Sequence, residues 1–230
     1  MKIRRKIIYY YRLIHSIPFN FKFLPFKQAL KIPIIIHNVK IINMKQGTIR
    51  IESNEIKRGM IQLGVNITAK YPNNGVTIEN KGKIIFMGNC TIGNNSFIST
   101  GKNGILIIGE NLFVSSSINI ICAEKIVIGK NNRFGWETTI MDTSFHPLFD
   151  RENHSFLPAT RPITIGDNNW TGMQTIIMPG VNTPPHCIFG SRSIVTRSTN
   201  LKSYCLYGGH PIKLLRQNVE RIIGQDNIDY

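Results

Sequence analysis

Residues 141 to 180, MDTSFHPLFDRENHSFLPATRPITIGDNNWTGMQTIIMPG, join an irregular, turn-rich loop to the start of a regular repeat, and the reactive group in them is His146. An unperturbed imidazole titrates near ~6.5, so it accepts and releases protons at neutral pH. Asp142 and Asp150 flank it, and Glu137 lies on the last strand before the loop. A carboxylate bonded to the second ring nitrogen would hold the tautomer and stabilise the imidazolium. Asp142 is the candidate for that role or for binding substrate hydroxyls. His154 reads as an exposed loop residue, and His186 and His210 as corner residues of the repeat.

The loop needs a rigid base, and the repeat supplies one. From residue 165 a bulky or β-branched side chain recurs every six residues, at Ile165, Thr171, Ile177, Thr183, Phe189, Val195, Leu201 and Tyr207. Four places further along each hexad sits a compact residue: Thr175, Val181, Cys187, Ser193, Thr199 and Cys205. A six-residue period fits neither a helix nor simple strand alternation; it predicts short strands joined by tight corners, the pattern of a β-helix. The register extends upstream in triplets: Phe86, Ile92, Ile98; Ile108, Val114, Ile120; and Ile128, Phe134, Ile140. Three hexads make one coil of roughly eighteen residues, a triangular prism. Between Ile140 and Ile165 the chain must leave the prism as an exposed loop, where chemistry tends to sit.

Upstream, IIIHNVKII, GTIRIE, MIQLG and KIIFMG are strand candidates in which the six-period is poor, and they read as irregular or early coils rather than a separate domain. Pro18, Pro25 and Pro33 are expected to break the chain there into short pieces. The segment KIRRKIIYYYRLIHSIPF places Ile3, Ile7, Tyr10 or Tyr11 and Ile14 on one helical face, surrounded by Lys2, Arg4, Arg5, Lys6 and Arg12. Two readings stand: a short helix capping the open end of the prism, and peripheral attachment of residues 1 to 18 to anionic lipid.

Lys and Arg total 28 against 13 Asp and Glu, a formal charge of +15, which asks for an anionic partner. Nucleic acid is a poor candidate: there is no zinc-finger spacing, RNP-like motif or evident recognition helix. Neither GxxxxGK[ST] nor a strand-to-helix GxGxxG occurs, and the glycines track corners where φ can be positive. The four cysteines, Cys90, Cys122, Cys187 and Cys205, show no CxxC or Cys/His ligand spacing and read as small core residues. A reduced, cytoplasmic setting fits them. No apolar run approaches the roughly 18 residues of a membrane span, and the first twenty residues lack a signal peptide's apolar core and cleavage site.

IGDNNWTGMQTIIMPGV, IFGSRSIVTRS and YGGHPIKLLR, preceded by FHPLFDREN and the return Pro162-Ile163-Thr164-Ile165-Gly166, resemble the hexapeptide-repeat acyltransferases related to galactoside and maltose O-acetyltransferases. The resemblance covers residues 108 to 216 well and 60 to 107 loosely; the first 60 residues resemble only the leaders of polysaccharide-modifying members. It implies a left-handed parallel β-helix, all-β, with a short N-terminal helical or irregular leader over 1–60, a prism over 61–216 with a protruding catalytic loop at 141–164, and a tail over 217–230. It further implies a homotrimer with the site between subunits, acetyl-CoA as donor with no metal, and a saccharide or lipid-linked saccharide as acceptor, acetylated for surface polysaccharide synthesis on the cytoplasmic side of the membrane.

The residue roles follow from the same resemblance. His146 is the general base for direct attack on the thioester, and the Met173 N–H is the oxyanion donor. Trp170 lines the cofactor groove or fills a gap between coils. Ser191 and Thr196 lie along the pantetheine and adenine ends, with Lys213, Arg216 and Arg197 near the phosphates. Ser115 stands where galactoside-type enzymes use Asn to bind their acceptor, which leaves the sugar open. A non-catalytic trimeric scaffold and a zinc hydratase on the same fold are the rival readings.

Overall fold

The computed structural model describes residues 2–225. Among these, short strands form three sheets of nine, seven and six strands, and a separate two-stranded hairpin. Successive strands visit the three sheets in turn, each pairing in parallel with the strand one coil earlier, so the chain winds as a triangular prism.

The expected anchors from Phe86 to Tyr207, Leu201 excepted, stack in register, and Ile51, Leu63 and Ile78 extend the same columns upstream. In the first sheet Leu63, Ile92, Val114, Phe134, Thr171, Phe189 and Tyr207 lie over one another. In the second, Ile78, Ile98, Ile120, Ile140, Ile177 and Val195 do so. In the third, Ile51, Phe86, Ile108, Ile128, Ile165 and Thr183 complete the set. All of these side chains are buried in one continuous core, and each large apolar one contributes about 1.5–3 kcal/mol by leaving water. Leu201, beyond the last complete coil, is only half-buried.

The early strands belong to the same sheets. Ile34–Ile36, Val39–Ile42 and Ile49–Ile51 each pair in parallel with the next coil, so the expected boundary at residue 61 falls inside the prism. The six-period is hidden there because loops of unequal length separate the strands.

The corners correct one reading of the glycines. The positive-φ positions are held mostly by other residues: Asn95, Ser117, Glu137, Gln174 and Arg192 along one edge, and Asn111, Asn131, Asn168, His186 and Tyr204 along another. The glycine after an anchor serves close stacking instead. A Cβ on Gly93 would lie 1.6 Å from the Ser115 carbonyl oxygen, and one on Gly109 would lie 2.4 Å from the Gly129 carbonyl carbon.

Both ends of the first sheet are closed. At the N-terminal end, helix α1 (Lys2–Phe23) runs through Pro18, which does not break it. Pro18 and Ile14 are exposed, so water can serve the carbonyl that a proline nitrogen cannot. The helix buries Leu13, Phe19 and Phe23. Its fully buried Ser16 and Asn20 serve the edge strand directly: the Ile34 N–H donates to Asn20 Oδ1 at 3.1 Å, Asn20 Nδ2 donates to the Ile34 carbonyl at 2.7 Å, and the Ile36 N–H donates to Ser16 Oγ at 2.9 Å. The helix therefore caps the prism, but through Leu13, Ser16, Phe19, Asn20 and Phe23 rather than through the expected Ile7, Tyr10 or Tyr11 and Ile14, which are exposed. The side chains of Lys2, Ile3, Arg4 and Arg5 lie outside the described residues. At the other end, the strand Lys213–Gln217 folds back antiparallel onto Cys205–Gly208.

Phe189→Ala should therefore cost about 3–5 kcal/mol, whereas Met87→Ala, at an exposed position, should change stability by less than about 1 kcal/mol. Urea denaturation of the two variants measures the difference.

Candidate active site

The excursion between the second and third sheets is an ordered arm. Phe149–Asp150 and Ser155–Phe156 form an antiparallel hairpin, Thr143 bridges Thr160, and the Leu157 N–H donates to the Leu148 carbonyl at 2.7 Å. The expected irregular loop is thus a β-hairpin arm, whose pairing crosses a short span and carries no repeat. Asp150 closes its turn, accepting from the Glu152 N–H at 2.9 Å and from the backbone and side chain of Asn153 at 3.0 and 2.9 Å. Those bonds, led by the Asn153 side chain, hold its carboxyl below the usual range. Phe145, Leu148, Phe149, Phe156 and Leu157 all stand exposed on the arm.

His146 sits exposed near the root of the arm. Ser144 Oγ donates to its carbonyl oxygen at 3.0 Å. Within the described residues no hydrogen bond engages its ring, and no hydrogen bond, ion pair or ring contact joins it to Trp170, Met173, Ser191, Thr196, Arg197, Lys213 or Arg216. The single chain therefore presents this imidazole to solvent, apart from the other candidate residues.

Asp142 does not orient His146. It is fully buried, and its two oxygens accept from three backbone amides of the coil beneath: Ala123 at 2.7 Å, Glu124 at 2.9 Å and Lys125 at 2.8 Å. The departing arm removes the corner that would have stacked there, and the carboxylate replaces it. Both proposed roles of Asp142, partner of the imidazole and ligand of substrate hydroxyls, are corrected by this geometry: it is the foundation of the arm.

The other candidates fall into two groups. At one edge of the prism, the Arg192 N–H donates to the Met173 carbonyl at 2.8 Å, and a Cβ on Gly172 would lie 2.6 Å from Ser191 Oγ. Met173 and Ser191 are thus neighbours on successive coils. Among the described residues the Met173 amide donates no hydrogen bond, and neither do the amides of Trp136 and Ser191 at the same corner. A free amide there is a property of the turn, available to an oxyanion. At the C-terminal end, a cleft of about 320 Å³ is lined by Ile194, Thr196, Ser198, Thr199, His210, Pro211 and Ile212. Lys213 and Arg216 follow directly on the exposed returning strand.

Arg197 has a neighbour that the sequence reading overlooked. A Cβ on Gly180 would lie 3.3 Å from Arg161 Cβ and 3.4 Å from Arg197 Cδ, so two guanidinium-bearing side chains flank one glycine at the base of the arm. Trp170 faces outward on the first sheet, 36% exposed, with the Arg221 guanidinium 5.1 Å from its ring centroid. The tail is bound nearby: the Val219 N–H donates to the Tyr204 carbonyl at 3.0 Å, and Glu220 lies 3.1 Å from His186 Nδ1.

Ser115 belongs to a further cluster. Its hydroxyl accepts from Trp136 Nε1 at 2.8 Å. Lys70 Nζ lies 4.8 Å from the Trp136 ring centroid and 4.9 Å from that of Tyr71. Glu137 gathers the Tyr71 hydroxyl, Gln174 Nε2 and Lys70 Nζ, and these donors, the Tyr71 hydroxyl first, bring its pKa down to about 2. No sequence signal links Lys70 and Tyr71 to residues more than sixty positions away; only the stacking of coils does.

Thiol chemistry has no place here. All four cysteines are buried and unpaired, and burial pushes Cys122 and Cys187 up to about 12. Among the described residues no three His, Cys, Asp or Glu side chains converge as a metal site.

Asp142→Ala should strand three buried donors and cost about 3 kcal/mol or more, lowering the melting temperature. The depressed Glu137 pKa contributes stability that is present above the ordinary value of 4.5 and is lost as pH falls toward about 2. Glu137→Gln should accordingly show a smaller loss of stability than the parent chain between those pH values in paired denaturation curves.

No family model matches the chain. The Saccharomyces cerevisiae protein named "Putative acetyltransferase YJL218W" is 30% identical over 139 residues, spanning 59% of this chain and 68% of that protein. The galactoside O-acetyltransferase of Escherichia coli is 27% identical over 150 residues, spanning 63% and 71%. Among solved structures, the polySia-specific acetyltransferase NeuO superposes with a TM-score of 0.51 at 19% identity, covering 84% of this chain and 87% of that one, a likeness of fold. With the stacked hexads, the arm bearing His146 and the returning strand already established, these matches place the chain in the hexapeptide-repeat acetyltransferases, enzymes of the left-handed parallel β-helix fold.

Proposed function

We propose that the protein moves an acetyl group from acetyl-CoA to a hydroxyl or amine of a saccharide, by direct attack with His146 as general base, in the synthesis of a surface polysaccharide. The observation that carries this reading is the position of His146: exposed, its carbonyl bonded by Ser144, its ring without a hydrogen-bond partner among the described residues. The galactoside O-acetyltransferase of E. coli, among the similar proteins, supports a saccharide acceptor.

The chemistry follows from the residues. An alcohol is a weak nucleophile at neutral pH, so His146 removes its proton as the oxygen attacks the thioester carbonyl, forming the new C–O bond. The Met173 amide donates to the oxyanion of the tetrahedral intermediate. When the intermediate collapses, the C–S bond breaks, and the imidazolium returns its proton to the leaving thiolate. The cleft beside Thr196 holds one end of the donor, with Ser191 along its path and Lys213, Arg216 and Arg197 against its phosphates. Arg161 is placed to join them.

The same reading makes the active unit a trimer with the site between subunits. Five exposed apolar residues on the arm support it, since a patch of that kind is usually covered. The neighbouring subunit then brings the donor groove to His146, which the single chain leaves apart.

His146→Ala should bind acetyl-CoA with unchanged affinity by calorimetry and lose roughly 10²- to 10⁴-fold in turnover; acetyl transfer at the parent rate would remove the mechanism. Lys213→Ala and Arg216→Ala should each weaken acetyl-CoA binding by roughly tenfold. Parent-like affinity in both would move the phosphates elsewhere.

A further inference from the structure

The helix that caps the prism has a second face that capping does not use. Leu13, Ser16, Phe19, Asn20 and Phe23 turn inward. At about 100° per residue, Ile7, Tyr10, Ile14 and Phe21 fall on the opposite side, and all are exposed, Ile7 by 64% and Ile14 by 61%. The Phe21 ring meets that of Phe26 at 5.9 Å, and exposed Phe26 and Leu30 prolong the stripe past the helix. From Ile7 to Phe21 this gives an apolar ridge roughly 20 Å long along the helix.

Charge identifies what such a ridge meets. Residues 1–51 contain eleven Lys and Arg and no Asp or Glu. Lys6, Lys22, Lys27 and Lys31 are exposed along the helix and the turn after it. Lys22 also lines a hollow of about 710 Å³ with Lys45, Lys81 and Lys102, over an apolar floor of Phe23, Ile41 and Met44. Lys81 is paired with Glu79 at 2.8 Å; Lys22, Lys45 and Lys102 have no ion-pair partner among the described residues. A second copy of this chain would bring like charge against like. An anionic bilayer offers the complement on both counts: an apolar interior for the ridge and phosphates for the lysines. No helix among the described residues is long and apolar enough to cross a membrane, so the contact is interfacial.

We propose that the N-terminal end of the prism is a docking surface for an anionic lipid bilayer, with the outer face of α1 lying in the interface and the lysine-lined hollow receiving phosphate headgroups. The inference does not depend on acetyl transfer, and binding is read without it.

The test is sedimentation of the full chain with vesicles of phosphatidylcholine alone and of equal parts phosphatidylcholine and phosphatidylglycerol. The chain should partition onto the mixed vesicles, and added salt should release it. Ile7→Ser/Ile14→Ser/Phe21→Ser, at exposed positions, should lose partitioning by about tenfold or more. Lys22→Gln/Lys45→Gln/Lys102→Gln should lose roughly fivefold for each lysine removed, with the ridge intact. Failure of the parent chain to bind mixed vesicles would overturn the proposal, as would unchanged partitioning of both variants. It would equally be overturned if the apolar variant fell to a smaller oligomer in sedimentation velocity while still binding vesicles, because the ridge would then be a subunit contact.

Discussion

Each coil of this prism presents a row of backbone N–H and C=O groups along its edge, and only the next coil can satisfy them. That single requirement governs most of the molecule. Parallel stacking in register forces the same residue type to recur over itself, which is why Ile98, Ile120, Ile140 and Ile177 form a column. It also brings backbones at the corners so close that Gly93 has no room for a Cβ against Ser115. A buried polar group without a partner costs about 1–3 kcal/mol, so the stack needs an answer wherever it is interrupted or ends.

The structure shows three such answers, each made by residues outside the repeat. At the N-terminal edge, Ser16 and Asn20 reach from a helix to the first strand and serve its amides and carbonyl. At the C-terminal edge, Lys213–Gln217 returns antiparallel. Where the arm leaves between the second and third sheets, the Asp142 carboxylate accepts three amides that the missing corner would have met. The arm that carries His146 is therefore anchored by a buried aspartate whose carboxylate serves the backbone. This also gives His146 a defined origin: its segment departs from a fixed point on a rigid body.

The candidate site residues are distributed around this body, apart from one another in the single chain. His146 stands on the arm, the Met173 amide at one edge, and the cleft beside Thr196 with its cations at the C-terminal end. The exposed apolar surface of the arm and the separation of these parts are what the proposed trimer rests on. The N-terminal helix has a different surplus, apolar on its outer side and flanked by lysines, and it is this surplus that the proposed lipid contact would use.

The hexad register was legible in the sequence because one coil of the prism is also one period of the chain, and a repeating core column prints itself as a repeating residue type. His146 stands out because the period lapses there and a His-Pro pair opens the excursion. The roles of Asp142, Ser16 and Asn20 were not, since each is defined by amides that belong to distant segments. The cluster of Lys70, Tyr71, Trp136 and Glu137 was hidden for the same reason. By itself the sequence determined the winding and the core and put His146 forward as the candidate base; the tertiary structure alone decided which polar side chains serve the backbone, because that depends on which donors the neighbouring coil leaves unmet.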